Sequence, residues 1–154
     1  MRLFYTALLL VHLLGVLVWV GGMFLMHYVV RPAAAQLAPA QRLPLLAAVL
    51  GRFFFWVSIS VVAILASGLG LILGAGGFRN AHLSVHLMVA IGLGMMAIYL
   101  QIRLVLYPRL RRAVSSNDLA GAAQQLDAIR QRVAINLALG VLTIAVATIG
   151  RALL

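Results

Sequence analysis

The sequence predicts an all-α, integral membrane four-helix bundle, and two observations support this prediction. First, 65% of the 154 residues are hydrophobic and the mean hydropathy is +1.13, whereas soluble domains average about 45–50% apolar residues. Second, the apolar residues form four stretches of about 20 residues or more, the length that crosses a bilayer. We predict one transmembrane domain, 1–154, with spans at residues 3–30, 53–73, 83–107 and 133–153.

The segments between the spans predict two longer connections and one short turn. Residues 31–52 contain three prolines, which predicts a partly irregular connection because proline disfavours helix interiors. Residues 74–80 are short and rich in glycine, as expected for a tight turn. Within residues 108–132, the alanine- and glutamine-rich stretch 118–130 predicts an amphipathic surface helix that leads into the fourth span.

The distribution of arginine predicts the orientation in the membrane. The chain has twelve arginines, no lysine, two acids and a net charge of +10. Nine arginines lie on the side of connections 31–52 and 108–132, and three on the other side. Because basic residues are retained in the cytoplasm, we expect a bacterial-type inner membrane protein with both connections cytoplasmic and both termini outside. Arginines beside membrane spans contact lipid headgroups, so we expect the lipid bilayer, and no nucleic acid, as a partner.

The residue types that are missing exclude several functions. Cysteine is absent, which excludes disulfides, thiolate copper sites and covalent c-type haem attachment. Both acids, Asp118 and Asp127, lie in the connection 108–132. No carboxylate therefore lies inside the membrane, which argues against proton-coupled transport.

Three histidines, His12, His82 and His86, are the candidate metal ligands, because ionisable residues are rare in membrane spans and mark functional sites there. At a rise of 1.5 Å per residue, His12 lies about 13 Å deep in the first span and His86 about 5 Å deep in the third. Both spans start on the same side, so we expect the two side chains to meet in the outer half of the membrane. Two facing imidazoles predict a b-type haem with both axial positions filled.

The neighbours of the two histidines predict the rest of a haem pocket. Gly15, Trp19 and Gly22 share a helical stripe with His12, and the glycines there would leave space for a flat ring. On the third span, Ala90 is a small residue next to His86 on its stripe. Arg79 lies on the same side of the membrane and is a candidate partner for a haem propionate.

Copper is the alternative cofactor at the same histidines. His82 and His86 are spaced i, i+4, so they lie on one helix face and could share a metal. His12 and Met88 would complete such a copper site. Whether His82 or His86 is the second ligand stays open. His27 lies about 22 Å from His12 along the helix, and we interpret it as an interfacial histidine.

The segment His12–Phe24, with Arg31-Pro32 after it, resembles the first span of the copper resistance protein D-like family. The resemblance continues along the chain in Arg52-Phe53-Phe54, Ser67-Gly68-Leu69, Val85-His86-Leu87-Met88, Tyr107-Pro108, Ile129-Arg130 and Asn136-Leu137. The wider group is distantly similar to HemJ-type haem-binding membrane proteins, and this resemblance implies His12 and His86 as axial ligands. The HemJ type pairs its histidine with a lysine, which this chain lacks.

These observations predict a b-type haem protein that transfers electrons through a bis-histidine haem between the first and third spans. A membrane quinone or another redox protein would be its partner, and membrane oxidoreductase activity stays open. A copper-binding or copper-transport protein of the copper resistance D type is the alternative, and a metal-free structural or transport subunit is the third interpretation. The glycine-rich bundle is also a candidate for a homodimer.

Overall fold

The computed structural model describes the backbone of residues 2–153 and the side chains of residues 2–150. Within this range the chain is helical without any strand, which confirms the predicted all-α bundle. Four helices are long and apolar enough to cross a membrane. They are α1 Arg2–Ala34, α2 Pro39–Gly74, α3 Leu83–Ser115 and α4 Leu119–Leu153.

Two of the helices contain π-helical turns, in which hydrogen bonds join residues i and i+5 and the turn is wider than in an α-helix. In α1 these turns are Leu17–Gly21 and Met26–Val30. In α3 the turn is Ile102–Leu106. The two helices therefore depart from a regular α-helix near the middle of the bundle and toward one of its ends.

The connections are more helical than predicted. The helix α2 starts at Pro39, since a proline in the first turn lacks only an N–H that would have no partner there. Only residues 35–38 separate α1 from α2. Apart from its first residue, the stretch 118–130 forms the start of α4 without a break. Its Ala122 and Ile129 are buried where α4 packs against the end of α3, while Gln124 and Asp127 are exposed.

The turn between α2 and α3 has the predicted glycine-rich form. Gly76 and Gly77 have φ values of +92° and +84°, a region that favours glycine because other residues place Cβ against the backbone there. A short 3₁₀ helix, Phe78–Asn80, follows before α3 begins. The turn therefore reverses the chain within a few residues.

The four helices form two antiparallel pairs: α1 packs along α2, and α3 packs along α4. We call the end formed by residues 31–52 and 103–132 the arginine end. The opposite end, formed by residues 2–15, 60–94 and 140–150, is the histidine end. Contacts of α4 with α1 and α2, and of α3 with α2, join the pairs from the middle of the bundle to the arginine end.

Burial of large side chains is concentrated at the arginine end and in the middle. The core there includes Leu43, Leu46, Leu50, Phe54, Val57, Tyr99, Ile102, Leu110, Ile129 and Val133. At the histidine end, the buried side chains within residues 2–150 are the serines Ser60, Ser67 and Ser84. Many large apolar side chains of that end, such as Leu10, Leu69 and Leu93, are exposed, as expected for residues that face lipid.

Glycines let α1 and α2 approach closely at the histidine end. A Cβ atom added at Gly15 would lie 2.7 Å from the Ile64 side chain, and one added at Gly70 would lie 2.9 Å from Leu8. Small residues at such positions are typical of helix packing in membranes. On α3, by contrast, Cβ atoms added at Gly92 and Gly94 would meet no atom within 4 Å.

Candidate functional site

His12 lies in the interface between α1 and α2, with its ring half-buried. Its Nδ1 atom is 3.2 Å from the Ile64 carbonyl oxygen and 3.1 Å from the Ser67 hydroxyl oxygen. Both acceptors lie on α2, which runs antiparallel to α1. The ring is therefore attached to the neighbouring helix at a fixed point.

The hydrogen bonds of His12 identify its neutral tautomer. A carbonyl oxygen only accepts hydrogen bonds, so Nδ1 carries the proton and donates it toward Ile64. The Ser67 hydroxyl donates to the Ala63 carbonyl, which leaves its oxygen free to accept from the same Nδ1–H group. In this assignment, made from the hydrogen-bond network, Nε2 carries the lone pair. Nε2 has no hydrogen-bond partner within residues 2–150.

Gly68 lies against the His12 ring and leaves space for it. A Cβ atom at this position would lie 3.1 Å from Cε1 and 3.4 Å from Nδ1 of His12. Any larger residue would push the ring away from its acceptors on α2. Gly68 and Ser67 together therefore fix both the position and the rotation of the imidazole.

His86 has the same tautomer on a different helix. It lies exposed near the start of α3, and its Nδ1 is 3.1 Å from the carbonyl oxygen of His82. This acceptor again requires the proton on Nδ1 and leaves the Nε2 lone pair free. The ring centroid lies 6.1 Å from that of Phe78. His82, the residue before α3, is also exposed.

The two histidines belong to different helix pairs and lie at different levels. The ring centroids of Trp19 and Tyr99, 6.1 Å apart, mark a common level of α1 and α3. His12 precedes Trp19 by seven residues and His86 precedes Tyr99 by thirteen, so they lie about 10 Å and about 20 Å from that level. His12 is thus hydrogen-bonded to α2, and His86 to the residue just before its own helix. The two histidines are offset by about 9 Å along the bundle axis.

The other predicted site residues fall into two groups. Gly15 and Gly22 lie in the interface between α1 and α2, where added Cβ atoms would meet Ile64 and Phe53, and Trp19 is buried in the core. These three residues contribute to helix packing. Ala90 and Arg79 are exposed at the histidine end.

The donor set available to a metal is small. Among the described residues, no group of three or more His, Cys, Asp or Glu side chains is placed to hold a metal ion. In the tautomers assigned above, His12 and His86 offer one Nε2 atom each, from different helix pairs. Met88 follows His86 by two residues on α3, is half-buried and offers a thioether.

From the sequence, Ser67 and Gly68 are named only as part of the family resemblance and are not connected with His12. A depth comparison would have found them. His12 follows the start of α1 by ten residues and Ser67 precedes the end of α2 by seven, so both lie roughly 10–15 Å from the same end of an antiparallel pair.

Comparison with known proteins identifies one family. A family model described as copper resistance protein D matches residues 47–149, about two thirds of the chain. The matched segment covers His82, His86 and Met88 but not α1, which carries His12. Neither the curated proteins nor the solved structures contain a match to this chain.

Proposed function

The chain belongs to the copper resistance protein D family, and from this membership we propose that it binds copper in the membrane at its histidine end. It is a multi-pass membrane protein, and copper would be its cargo. Imidazole suits copper, and thioether sulfur suits Cu(I) in particular. The ligands we assign are His12 and His86, with His82 and Met88 as further donors.

The observation that supports this proposal is the shared tautomer of the two histidines. In metal sites, a ligating histidine almost always donates its other ring N–H to a carbonyl, a carboxylate or water, which fixes the ring and makes it more basic. The Nδ1 atoms of His12 and His86 both face backbone carbonyls, at 3.2 Å and 3.1 Å. In this tautomer both Nε2 atoms would carry the lone pair that binds a metal.

Copper binding by both histidines would require the two helix pairs to approach each other at the histidine end and to close the axial offset of about 9 Å between the two rings. The large side chains that join the pairs lie in the middle and at the arginine end, so the histidine ends have fewer contacts to break when they move. The chemistry then assigns two roles: the imidazoles hold the ion, and Ser67 with the Ile64 carbonyl orients the His12 ring. His86 lies nearer the end of the bundle than His12, so it would be the first of the two ligands to meet an ion that arrives from solution.

Haem b is the second candidate, favoured by the same observation. Axial ligation also needs two neutral imidazoles with free Nε2 atoms on different helices, and such a haem would supply one-electron transfer, with a quinone or a small redox protein as partner. The packing of Gly15 and Gly22 against α2 leaves the open side of α3, near Gly92 and Gly94, as the available space for a ring. We place copper first because the matching family model is described as copper resistance protein D.

A competition titration tests the copper proposal. We expect detergent-purified protein, titrated anaerobically with Cu(I) against a chromophoric chelator, to bind one ion per chain. His12→Ala and His86→Ala should each weaken binding by at least about tenfold, since even outer-shell partners of metal ligands contribute that much. His27→Ala, a matched change at the other end of α1, should stay within about twofold.

Two outcomes would count against copper. One is wild-type protein that does not compete with the chelator, and the other is an equal loss in the His27 variant. Absorption spectra of oxidised and reduced protein from haem-replete cells separate the second candidate. A Soret band with sharp reduced α and β bands, lost in His86→Ala, would establish haem in place of copper.

We also propose an inner-membrane location with the arginine end in the cytoplasm and both termini outside. Nine arginines against three support this orientation. The chain has no cysteine, so single cysteines introduced as Ala81→Cys and Ser116→Cys test it directly. A membrane-impermeant thiol reagent should label the first in intact cells and the second only after lysis, and the reverse pattern would invert the topology. A homodimer remains a prediction.

A further inference from the structure

A concave surface on one helix lies at the arginine end, away from the histidines. Its volume is about 310 Å³, and all the residues that line it belong to α3. Its lining residues are Arg103, Tyr107, Pro108, Arg111, Arg112 and Ser115. Three arginines thus line one depression.

Two departures from regular helix geometry coincide with this depression. The π-helical turn Ile102–Leu106 widens the helix, and Pro108 follows at the start of the next segment, where it lacks a backbone N–H. Such wide turns and prolines bend helices and change which side chains share a face. Arg103, Tyr107 and Arg111 are spaced i, i+4 and i+8, so they follow one side of α3 and line the same cavity.

Among the residues that the structure describes, none of these three guanidiniums has an acidic partner. The chain contains only two acids. The Asp127 carboxylate pairs with Arg31 at 3.5 Å and with Arg130 at 3.4 Å. The Asp118 carboxylate accepts a hydrogen bond from the Gly121 amide at 2.8 Å. The positive charge in the cavity must therefore be balanced from outside the chain.

Arg103 is held in place by an aromatic ring. Its guanidinium carbon lies 5.6 Å from the centroid of the Tyr107 ring, within the range of cation–π attraction. The Tyr107 hydroxyl in turn donates to the Ala47 carbonyl on α2, at 3.3 Å. The charge of Arg103 is thus fixed relative to two helices.

The cavity lies where a span that begins at Leu83 would reach the phosphates of a bilayer. Arg103 follows Leu83 by twenty residues, or about 30 Å of helix, which equals the hydrocarbon thickness of a bilayer. The neighbouring side chains Leu104 and Val105 are 67% and 40% exposed and are available to acyl chains. The surface therefore combines positive charge with adjoining apolar contact.

We propose that this cavity binds the phosphate headgroup of an anionic phospholipid. Arginine forms bidentate hydrogen bonds with phosphate oxygens, and basic pockets at the membrane surface select anionic headgroups. The site uses none of the histidines, so it does not depend on the copper proposal.

Native mass spectrometry of the detergent-solubilised protein titrated with phosphatidylglycerol tests the proposal. We expect Arg103→Gln and Arg111→Gln each to raise the dissociation constant of the lipid by about fivefold, because each substitution removes a charge-assisted hydrogen bond to the phosphate. Arg109→Gln is the matched control, because Arg109 lies on the same helix with the same charge but does not line the cavity. It should change binding by less than about twofold.

Several results would overturn the proposal. An equal loss in Arg109→Gln would mean general surface charge, and equal binding of phosphatidylcholine would mean that the phosphate is not selected. Displacement of the lipid by millimolar inorganic phosphate would identify a free-anion site. Arg111→Lys, which keeps the charge but not the bidentate geometry, should retain part of the affinity and checks that a loss in Arg111→Gln is not misfolding.

Discussion

The arginine end and the histidine end of this bundle differ in what their buried positions contain. Toward the arginine end, Phe54 and Leu110 are 1% and 0% exposed and pack among other large side chains. At the histidine end the buried side chains of the described residues are small serines, and the only half-buried imidazole there is bonded to α2. Packing of large side chains supplies stability, whereas a ligand site needs open positions. The comparison therefore associates stability with the packing of the arginine end and the proposed copper site with the histidine end.

The largest expected effect comes from the core. Phe54→Ala should lower the free energy of unfolding by about 3–5 kcal/mol, because it removes a large buried ring and leaves a cavity beside Tyr99 and Tyr107. Phe55→Ala is the matched control, since that ring is 59% exposed and should cost far less. Unfolding in mixed detergent measures both. Similar losses in the two variants would remove the distinction between core and lipid-facing positions.

The same substitution should have opposite signs at two glycines of the histidine end. Gly15→Ala should destabilise by about 1–3 kcal/mol, because its Cβ would lie 2.7 Å from Ile64 and 3.2 Å from the Ser60 carbonyl oxygen. Gly94→Ala should stabilise by about 0.5–1 kcal/mol, since alanine favours helix and its Cβ meets nothing within 4 Å. Thermal melting reports both, and a loss at Gly94 would show that α3 is covered there by a partner.

Ser67→Ala separates binding from stability. It removes one of the two acceptors of the His12 Nδ1–H group and should weaken Cu(I) binding by about tenfold, as for other outer-shell partners. Ser60→Ala, a buried serine on the same helix that bonds to Trp56, should leave the affinity unchanged. The chelator titration measures both variants. Equal affinities in wild type and Ser67→Ala would remove the orienting role assigned to this hydroxyl.

The smallest expected effect is at the exposed ion pairs of the arginine end. Asp127→Asn should lower stability by no more than about 1 kcal/mol, because the carboxylate is 58% exposed and exposed pairs contribute little. The loss should shrink further in high salt. Melting curves at two salt concentrations measure it, and a large, salt-independent loss would mean that the arginine end depends on charge more than on packing.

The four helices were predictable because each contains about 20 or more apolar residues, a pattern with few other structural solutions. Their ends were not. The prolines of residues 31–52 suggested irregular structure, yet Pro39 begins α2 and Pro44 lies inside it. The first turn tolerates proline. Pro44 is itself exposed, and the burial of its neighbours Leu43 and Leu46 holds this part of α2 in the bundle. Likewise Ala122 and Ile129 are buried where the start of α4 packs against the end of α3. Local sequence does not reveal which helix covers them.

The candidate site was predictable in residue type but not in contacts. His12 and His86 are identified by their rarity in an apolar chain. The bond between His12 and Ser67 joins residues 55 apart in the sequence, so no local pattern encodes it. Helical stripes place Gly15 and Gly22 beside His12, but a stripe does not say which helix it faces. The structure places these glycines against α2.

The lengths of the helices have a consequence for amide hydrogen exchange. The 36 residues of α2 extend about 54 Å, whereas the hydrocarbon layer is about 30 Å thick. A large part of the helical backbone therefore stands in water or among headgroups while still hydrogen-bonded. Deuterium uptake there would depend on local opening of the bundle, and the tightly packed arginine end would open rarely. Slow exchange in this protein would therefore report packing as well as lipid cover.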